Sequence, residues 1–264
     1  MSEPRSCQAP ARLLVELRPV PELDRQERRE LRELMARWFE NVTEASFERD
    51  LDEKRWVVVA RDSRSGELGG FSTLTTLAAR DGDKRWNALY SGDTIVDPQW
   101  WRSSEFFQGW IRHTLSLAER FLERPAYWLL LSSGFRTYRL LPTFFRRYAP
   151  ACGRQDLGEF LPPLAALARD RFGSAYDPAT GIVRLSHPTP LRRGVSDITP
   201  ERLSNRHVQY FVQRNPEHRA GDELVCLTEL AVENLTRAGL RMVGATGNAS
   251  RSRFATRLGR EPTA

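Results

Sequence analysis

Apolar residues recur at helical spacing in two segments near the start of the chain. In residues 24–40 the apolar side chains fall on one face of an otherwise charged helix. A second, shorter helix is predicted for residues 43–54, with Thr43 as its N-cap. Residues 1–20 are polar and are predicted to form a flexible N-terminus.

The pattern then changes to the period of β-strands. Residues 55–61 and 68–77 are rich in β-branched and aromatic residues and flank the turn sequence DSRSGE, which predicts a hairpin. Residues 86–96 follow a second turn and are predicted to form a third strand. Gly92 within it indicates a bulge or a close approach of the backbone.

A long helix and a buried strand follow the hairpin. The helix is predicted for residues 103–124, ending before Pro125. Residues 126–133 are continuously apolar, which is typical of a strand buried on both faces. The two flanking strands and the helix should form a right-handed crossover. The pattern therefore predicts a mixed α/β (α+β layered) structure.

The second half of the chain is less regular. Residues 135–150 have helical spacing but contain Pro142, so they form either a kinked helix or a short helix after a turn. Further predicted elements are a helix within residues 157–173, a strand at 181–186 and helices at 199–215 and 222–242. We place the domain boundary near residue 150, with an α/β domain at 21–150, a mainly helical extension packed on it at 151–243 and a flexible tail at 244–264.

Composition excludes several classes of protein. The 264 residues are 40% hydrophobic and 28% charged, as in an ordinary soluble globular protein. The net charge is +6, but acidic residues are interleaved with the arginines, and no basic tail or aromatic RNA-binding signature occurs. We therefore expect no nucleic-acid partner. No apolar run reaches the length of a membrane span, so we expect the protein not to be transmembrane.

The cysteines favour a reducing compartment. Cys7, Cys152 and Cys226 are scattered and odd in number, which argues against a disulfide framework. They and the histidines also lack metal-ligand spacing, and we expect no metal site. A cytoplasmic location follows as the expectation.

One stretch, VDPQWWRSSEF at residues 96–106, carries the candidate chemistry. A strand that leads into a long helix presents backbone amides and the positive end of a helix dipole at one turn, which suits a phosphate. Glycines normally let a ligand approach such a turn closely, whereas this one is built of bulky and polar residues.

The order of elements and three local phrases resemble the GNAT superfamily of N-acyltransferases over about residues 20–150. The phrases are VVVARDSRSGELGGFSTL, VDP before a long helix, and YWLLL before an aromatic helix that ends in FFRRYAP. The resemblance implies a GNAT-like mixed sheet flanked by helices, with splayed fourth and fifth strands that receive the pantetheine arm of an acyl donor. It also implies an acyl-coenzyme A or phosphopantetheine-borne co-substrate, such as an acyl carrier protein, and a small-molecule or peptide amine as acceptor.

The turn departs from the family pattern. Trp101 stands where Gln or Arg is usual, Arg102 and Ser104 stand at usual glycines, and Phe106 replaces a small residue. Three interpretations remain open. The turn binds the donor phosphate through Val96, Arg102, Ser103 and Ser104, or its aromatics line an acyl channel (Trp100, Trp101, Phe106 and Trp110), or the aromatics are core in a non-catalytic binding or scaffold protein.

Amide formation from a thioester needs a base for the amine and a proton for the departing thiolate. Asp93, three residues before Val96, is the candidate base, because the family often carries an acidic residue near this place. Phe145 replaces the tyrosine often found on the family's last helix, which leaves Tyr138 or Tyr148 as candidate proton donor. The polar stretch NPEHRAGDE at residues 215–223 is either a substrate site or a capping loop, and we favour the loop.

Overall fold

The computed structural model describes residues 11–153, 158–195 and 197–244. Cys7 and nearly all of the predicted tail lie outside these ranges. The first half contains β1 (Leu13–Pro19), α1 (Arg25–Trp38), α2 (Glu44–Asp52), β2 (Trp56–Asp62), β3 (Leu68–Asp81), β4 (Lys84–Val96), α3 (Glu105–Phe121), β5 (Ala126–Ser132) and α4 (Phe135–Phe144). The second half contains β6 (Tyr148–Ala149), α5 (Leu161–Phe172), β7 (Tyr176–Asp177), β8 (Ile182–Val183), α6 (Pro200–Leu203), α7 (Arg206–Arg214), β9 (Glu223–Glu229) and α8 (Arg237–Met242).

Both early helices begin at capping boxes. The Asp24 carboxylate accepts from the Glu27 amide, and the Glu27 side chain accepts from the Asp24 amide. Thr43 and Ser46 make the equivalent pair at the start of α2, so the predicted N-cap is confirmed. Each cap satisfies helix amides that would otherwise have no partner.

The described strands form one mixed sheet in the order β1-β2-β3-β4-β5-β9-β8-β7, and β6 pairs with β9. The β4–β5 pair is parallel, and the neighbouring pairs β3–β4 and β5–β9 are antiparallel. Successive residues of β2 alternate between cores: Val58 packs in the cluster that includes α3, whereas Val57 and Val59 pack against α1 and α2. The predicted mixed sheet flanked by helices is therefore confirmed.

The start of the chain corrects one prediction. Leu13–Pro19 forms β1, paired with β2, where a flexible segment over residues 1–20 was predicted. Leu13, Val15 and Leu17 are at least partly buried, whereas Leu14 and Glu16 between them are exposed, which is the period of a half-buried strand. Gly109 on α3 lets Val15 pack closely, because a Cβ at this glycine would lie 2.5 Å from the Cβ of Val15.

The predicted helix over residues 222–242 is wrong. Glu223–Glu229 forms β9, and only the short α8 follows in this range apart from a single 3-10 turn. The run from Leu224 to Leu227 is buried on both faces of the sheet, with Cys226 in the α3 cluster and Val225 in the α5 cluster. Burial on both faces removes the alternation that marks a strand, so the run also matched a helical stripe.

The predicted helix over residues 199–215 is divided. It breaks between α6 and α7, where the Asn205 side chain accepts from the first amides of α7. The α4 helix contains Pro142 in its last turn, where the proline nitrogen cannot donate to the carbonyl four residues earlier. The division of the chain at residue 150 stays a prediction, although β9 lies between β5 and β8 in the sheet.

Candidate active site

The parallel strands β4 and β5 separate towards their carboxyl ends. Their pairing runs from Asn87 opposite Ala126 to Ser91 opposite Leu130 and ends there. Beyond Ser91, β4 continues along β3 as far as Val96, while β5 continues along β9. The result is a V-shaped opening in the middle of the sheet.

A bulge in β4 shapes one side of this opening. Ser72 pairs with Thr94 and Leu74 pairs with Ser91, so Thr73 stands opposite two residues, Gly92 and Asp93. A bulge of this kind shifts the in-and-out alternation of a strand by one residue. Tyr90 and Asp93, three apart, consequently both line the opening. The bulge predicted from Gly92 is confirmed.

Gly92 is needed at this position for steric reasons. A Cβ there would lie 2.7 Å from Thr73 Oγ1 and 2.8 Å from Lys54 Cε. Any larger residue would therefore push the Lys54 side chain away from β4.

The opening leads into a cavity of about 550 Å³. Its walls come from the ends of α1 and α2, the end of β4, the starts of α3 and α4, the end of α5 and residues 185–195. Seven of the predicted site residues line it: Asp93, Val96, Trp100, Trp101, Ser103, Phe106 and Trp110. Arg102, Ser104 and Tyr138 do not.

Three carboxylates meet in the cavity. Asp93 on β4 lies near enough to Asp50 on α2 for the two carboxyl groups to interact, and Glu223 at the start of β9 is close enough to interact with both. Burial, and next the charge of Asp50, raise the pKa of Asp93 to about 7. Burial likewise raises the pKa of Glu223 to about 7, although its hydrogen bond from Ser133 opposes the shift. Both groups are thus poised to exchange protons near neutral pH.

One buried ammonium partly balances these charges. The side chain of Lys54 is fully buried, and its Nζ lies 2.7 Å from a carboxylate oxygen of Asp50 and 2.9 Å from the Asp50 carbonyl. The positive charge of Lys54 lowers the pKa of Asp93, but less than burial and Asp50 raise it. Arg171 also lines the cavity but is paired with Glu53, and among the ion pairs of the described residues none involves Asp93 or Glu223, so this part of the cavity suits a positively charged ligand.

Tyr90 lies beside the carboxylates. Burial, and then the charges of Glu223 and Asp50, raise the pKa of its hydroxyl well above the usual value. The ring packs edge-on against Phe172 at a centroid distance of 5.8 Å. The hydroxyl therefore stays protonated at neutral pH, as a proton donor must.

The turn before α3 uses its own hydrogen-bonding groups. The Trp101 indole N–H donates to the Val96 carbonyl at 2.8 Å. The Glu105 carboxylate accepts from the Leu13 amide at 2.7 Å and from the Ser103 hydroxyl at 3.0 Å. A carboxylate thus stands at the positive end of the α3 dipole, where the resemblance implies a pyrophosphate.

Tyr138 lies outside the cavity, in contrast to its predicted role. Its side chain is fully buried between α4 and α7, and its hydroxyl donates to the Pro150 carbonyl at 2.9 Å. Tyr148 is also buried and packs against it. The structure therefore gives neither tyrosine access to a substrate in the cavity, because the helical period turns this face of α4 towards α7.

Residues 185–195 cover the cavity on the side of α1. They are fastened to the end of α1 by backbone bonds from Glu40 to the Pro190 carbonyl and from Arg192 to the Trp38 carbonyl, each 2.9 Å. Leu191 bridges to Phe39, and both side chains line the cavity. This wall is largely apolar.

Sequence reasoning missed four residues of the site: Asp50, Lys54, Tyr90 and Glu223. Lys54 carried a signal, as one of only two lysines in the chain. Tyr90 and Asp93 could have been paired from the sequence, because a bulge at Gly92 turns two side chains three positions apart to the same side of β4. Glu223 was named only within a loop thought to cap a helix.

No group of three or more His, Cys, Asp or Glu side chains within the described ranges is placed to hold a metal ion. In the same ranges, no helix is both long and apolar enough to cross a bilayer. The cytoplasmic location stays a prediction.

No protein-family model and no curated protein matches the sequence. Among solved structures, a probable N-acyltransferase from Enterococcus faecalis is 14% identical over 51% of this chain, with a TM-score of 0.39. The chain spans only 33% of that protein's length. The GNAT family N-acetyltransferase YhbS from Escherichia coli, in complex with CoA, is 19% identical over 52% of this chain and 70% of its own, with a TM-score of 0.38.

NAA60 from Arabidopsis thaliana, in complex with acetyl-CoA, is 16% identical over 53% of this chain and 88% of its own, with a TM-score of 0.37. Each of these likenesses covers about half of this chain, and at such identities and TM-scores none of them says what this chain does. What the cavity does must be argued from its own residues.

Proposed function

We propose that this chain is an N-acyltransferase that moves an acyl group from a pantetheine thioester to an amine. The proposal depends on one observation: two features that acyl transfer requires occur in the same place. The separated strands β4 and β5 open into a cavity of about 550 Å³, and Asp93, with a pKa raised to about 7, lies on its wall. An extended arm fits between separated strands because they offer backbone groups that no neighbouring strand uses.

In the proposed reaction, the amine enters as an ammonium ion among the carboxylates. Asp93 removes one proton, and the neutral nitrogen attacks the thioester carbonyl carbon. The C–S bond then breaks as the amide forms, and Tyr90 gives its proton to the departing thiolate. The second proton of the nitrogen passes to the Tyr90 phenolate and the proton on Asp93 passes to solvent, so the products are the amide, the thiol and one released proton. Tyr90 takes the role that was predicted for Tyr138, and Glu223 holds the acceptor's positive charge before proton transfer.

The aromatic and aliphatic wall would receive the acyl chain. Trp100, Phe106 and Trp110 from the predicted channel line the cavity together with apolar residues of α1 and residues 185–195. Burial of each methylene group contributes about 0.8 kcal/mol. A medium or long acyl chain should thus bind more tightly than an acetyl group.

The test is a matched panel of donors. Acetyl-, octanoyl- and palmitoyl-coenzyme A are added to the purified protein, and both its thermal midpoint and thiol release with a set of amines are measured. At a donor concentration of about 100 times Kd, binding adds about 2.7 kcal/mol, which raises the midpoint by roughly 5–10 °C in a chain of this size. If no thioester stabilises the protein, the proposal fails.

The second candidate function is a non-catalytic binding or scaffold protein on the same fold. The specific observation in its favour is the turn before α3, where Trp101 and Glu105 already occupy positions that a donor would use. This candidate predicts that no amine causes thiol release, whether or not acyl thioesters bind. Thiol release that disappears in Asp93→Asn would exclude it.

A further inference from the structure

Three arginines at the edge of the cavity form no ion pair with a carboxylate among the described residues. Arg136, in the first turn of α4, lines the cavity, and its guanidinium lies 3.9 Å from the centroid of the Trp101 ring. Burial, and next the positive charges of Arg202 and Arg139, lower the pKa of Arg136, so the three guanidinium groups lie near one another. Among the ion pairs of the described residues, none joins these three arginines to a carboxylate.

The guanidinium of Arg136 is held in place but left with bonding capacity. Its Nε is shielded from solvent and has no hydrogen-bond partner in the described part of the chain. Because a shielded atom is out of reach of a ligand, a phosphate would bond to the terminal N–H groups of the guanidinium. Trp101, which is 39% exposed, stacks against the guanidinium and limits the orientations that it can take. Such a planar, fixed fork matches the oxygens of a phosphate.

The helix that carries Arg136 also favours the binding of an anion. The N-cap of α4 is Gly134, which has no side chain to satisfy the first amides of the helix, and Gly134 and Thr137 also line the cavity. The positive end of the α4 dipole and the positive charge of Arg136 therefore both attract an anion to this place. At α3, by contrast, the Glu105 carboxylate already neutralises the helix end and would repel an anion.

We propose that Arg136, supported by Arg139 and Arg202, binds the phosphate of the donor's pantetheine arm, so that this phosphate is held at the start of α4 and not at the turn before α3. The inference rests on the proposed function. Its chemistry, a phosphate ester at the end of a pantetheine arm, is common to coenzyme A and to an acyl carrier protein.

The test compares two donors that differ only in the phosphate. Octanoyl-pantetheine and octanoyl-phosphopantetheine are titrated into the full-length protein by calorimetry. We expect the phosphate to strengthen binding about tenfold or more in the wild type, the effect of one charge-assisted contact. In Arg136→Gln the preference should fall below about threefold, and Arg136→Lys should retain part of it because the charge remains.

Arg25→Gln is the matched control. Arg25 is an exposed arginine in the first turn of α1, ten residues or about 15 Å along the helix from Met35, the nearest residue of α1 that lines the cavity. It should leave the phosphate preference unchanged. Urea unfolding of each variant shows that the fold is intact.

The outcomes separate the two proposals. If both donors bind the wild type equally, or if Arg136→Gln keeps the phosphate preference, the phosphate site is not at Arg136, while the proposed acyl transfer stands. If neither donor binds, the proposed function fails and the phosphate site with it. Octanoyl-coenzyme A and an octanoyl carrier protein form two further arms: the one whose affinity falls in Arg136→Gln is the source of the phosphate, and unchanged affinity for both overturns the assignment.

Discussion

Replacing Asp93 by Asn should stabilise the protein and inactivate it at the same time. In the unfolded chain this carboxyl titrates near 3.8, and in the folded protein at about 7. Between these pH values the folded state holds a proton that the unfolded state has released, so stability falls as the pH rises. The contribution of Asp93 to stability is fully kept below pH 3.8, and the loss caused by ionisation of Asp93 is complete above pH 7.

The size of the effect follows from the two pKa values. They differ by about 3 units, and at 1.36 kcal/mol per unit the ionised carboxyl lowers the free energy of unfolding by at most about 4 kcal/mol above pH 7. Relaxation of the groups around the ionised carboxylate reduces this figure, so we expect about 2 kcal/mol. Asn resembles the protonated acid and does not ionise. The gain from Asp93→Asn should therefore be small at pH 4.5 and grow towards pH 8.

The assay is urea unfolding, followed by tryptophan fluorescence at pH 4.5, 6, 7 and 8. Asp83→Asn serves as the control, because Asp83 is exposed in the turn between β3 and β4 and its variant should stay within about 0.5 kcal/mol of the wild type. Thiol release by Asp93→Asn should fall about 100-fold or more, with donor binding kept. A gain that does not increase with pH would refute the electrostatic reasoning, and full thiol release would remove Asp93 as the base.

Three further predictions follow from neighbouring contacts. Glu223→Gln should also raise the free energy of unfolding above pH 7, because burial raises the pKa of Glu223 to about 7, and the same urea series tests it. Tyr90→Phe should slow thiol release at least tenfold, and the loss should shrink for a donor whose thiol is more acidic, because such a thiolate leaves without a proton. Gly109→Ala should destabilise the protein by about 1–3 kcal/mol despite the better helix propensity of alanine, since the new methyl group would meet Val15; an unchanged midpoint in urea would show that β1 does not pack as described.

Most of the first half of the fold, apart from β1, could be predicted because local patterns there agree with the tertiary structure. The capped helices α1 and α2 present one apolar face each, and the β2–β3 hairpin has its turn residues in place. In β9 the local pattern gave a false answer. A strand buried on both faces has no alternation, so only its pairing with β5 and β8 distinguishes it from a helix.

The candidate site was predictable only on the side formed by β4 and α3. Asp93 and the aromatics after β4 lie near each other in sequence, so one stretch pointed to them all. Glu223 is 130 residues away from Asp93 and reaches the cavity only because β9 enters the sheet beside β5. Nothing in a single sequence gives that pairing. Tyr138 failed for the opposite reason: it has a suitable side chain, but its face of α4 packs on α7.

The distribution of unsatisfied groups separates the two candidate functions. At the turn before α3, the Trp101 indole and the Glu105 carboxylate are paired within the protein, although the Trp100 indole N–H is buried without a partner among the described residues. Asp93 and Glu223 are different, since both have raised pKa values and cost folding free energy whenever they ionise. A scaffold gains nothing from that cost and would be more stable with amides at both positions, whereas an acyltransferase needs a carboxylate that can take a proton from an ammonium ion near neutral pH. The carboxylates thus favour catalysis, and the contacts of Trp101 and Glu105 at the turn agree with the proposal of a phosphate site at Arg136.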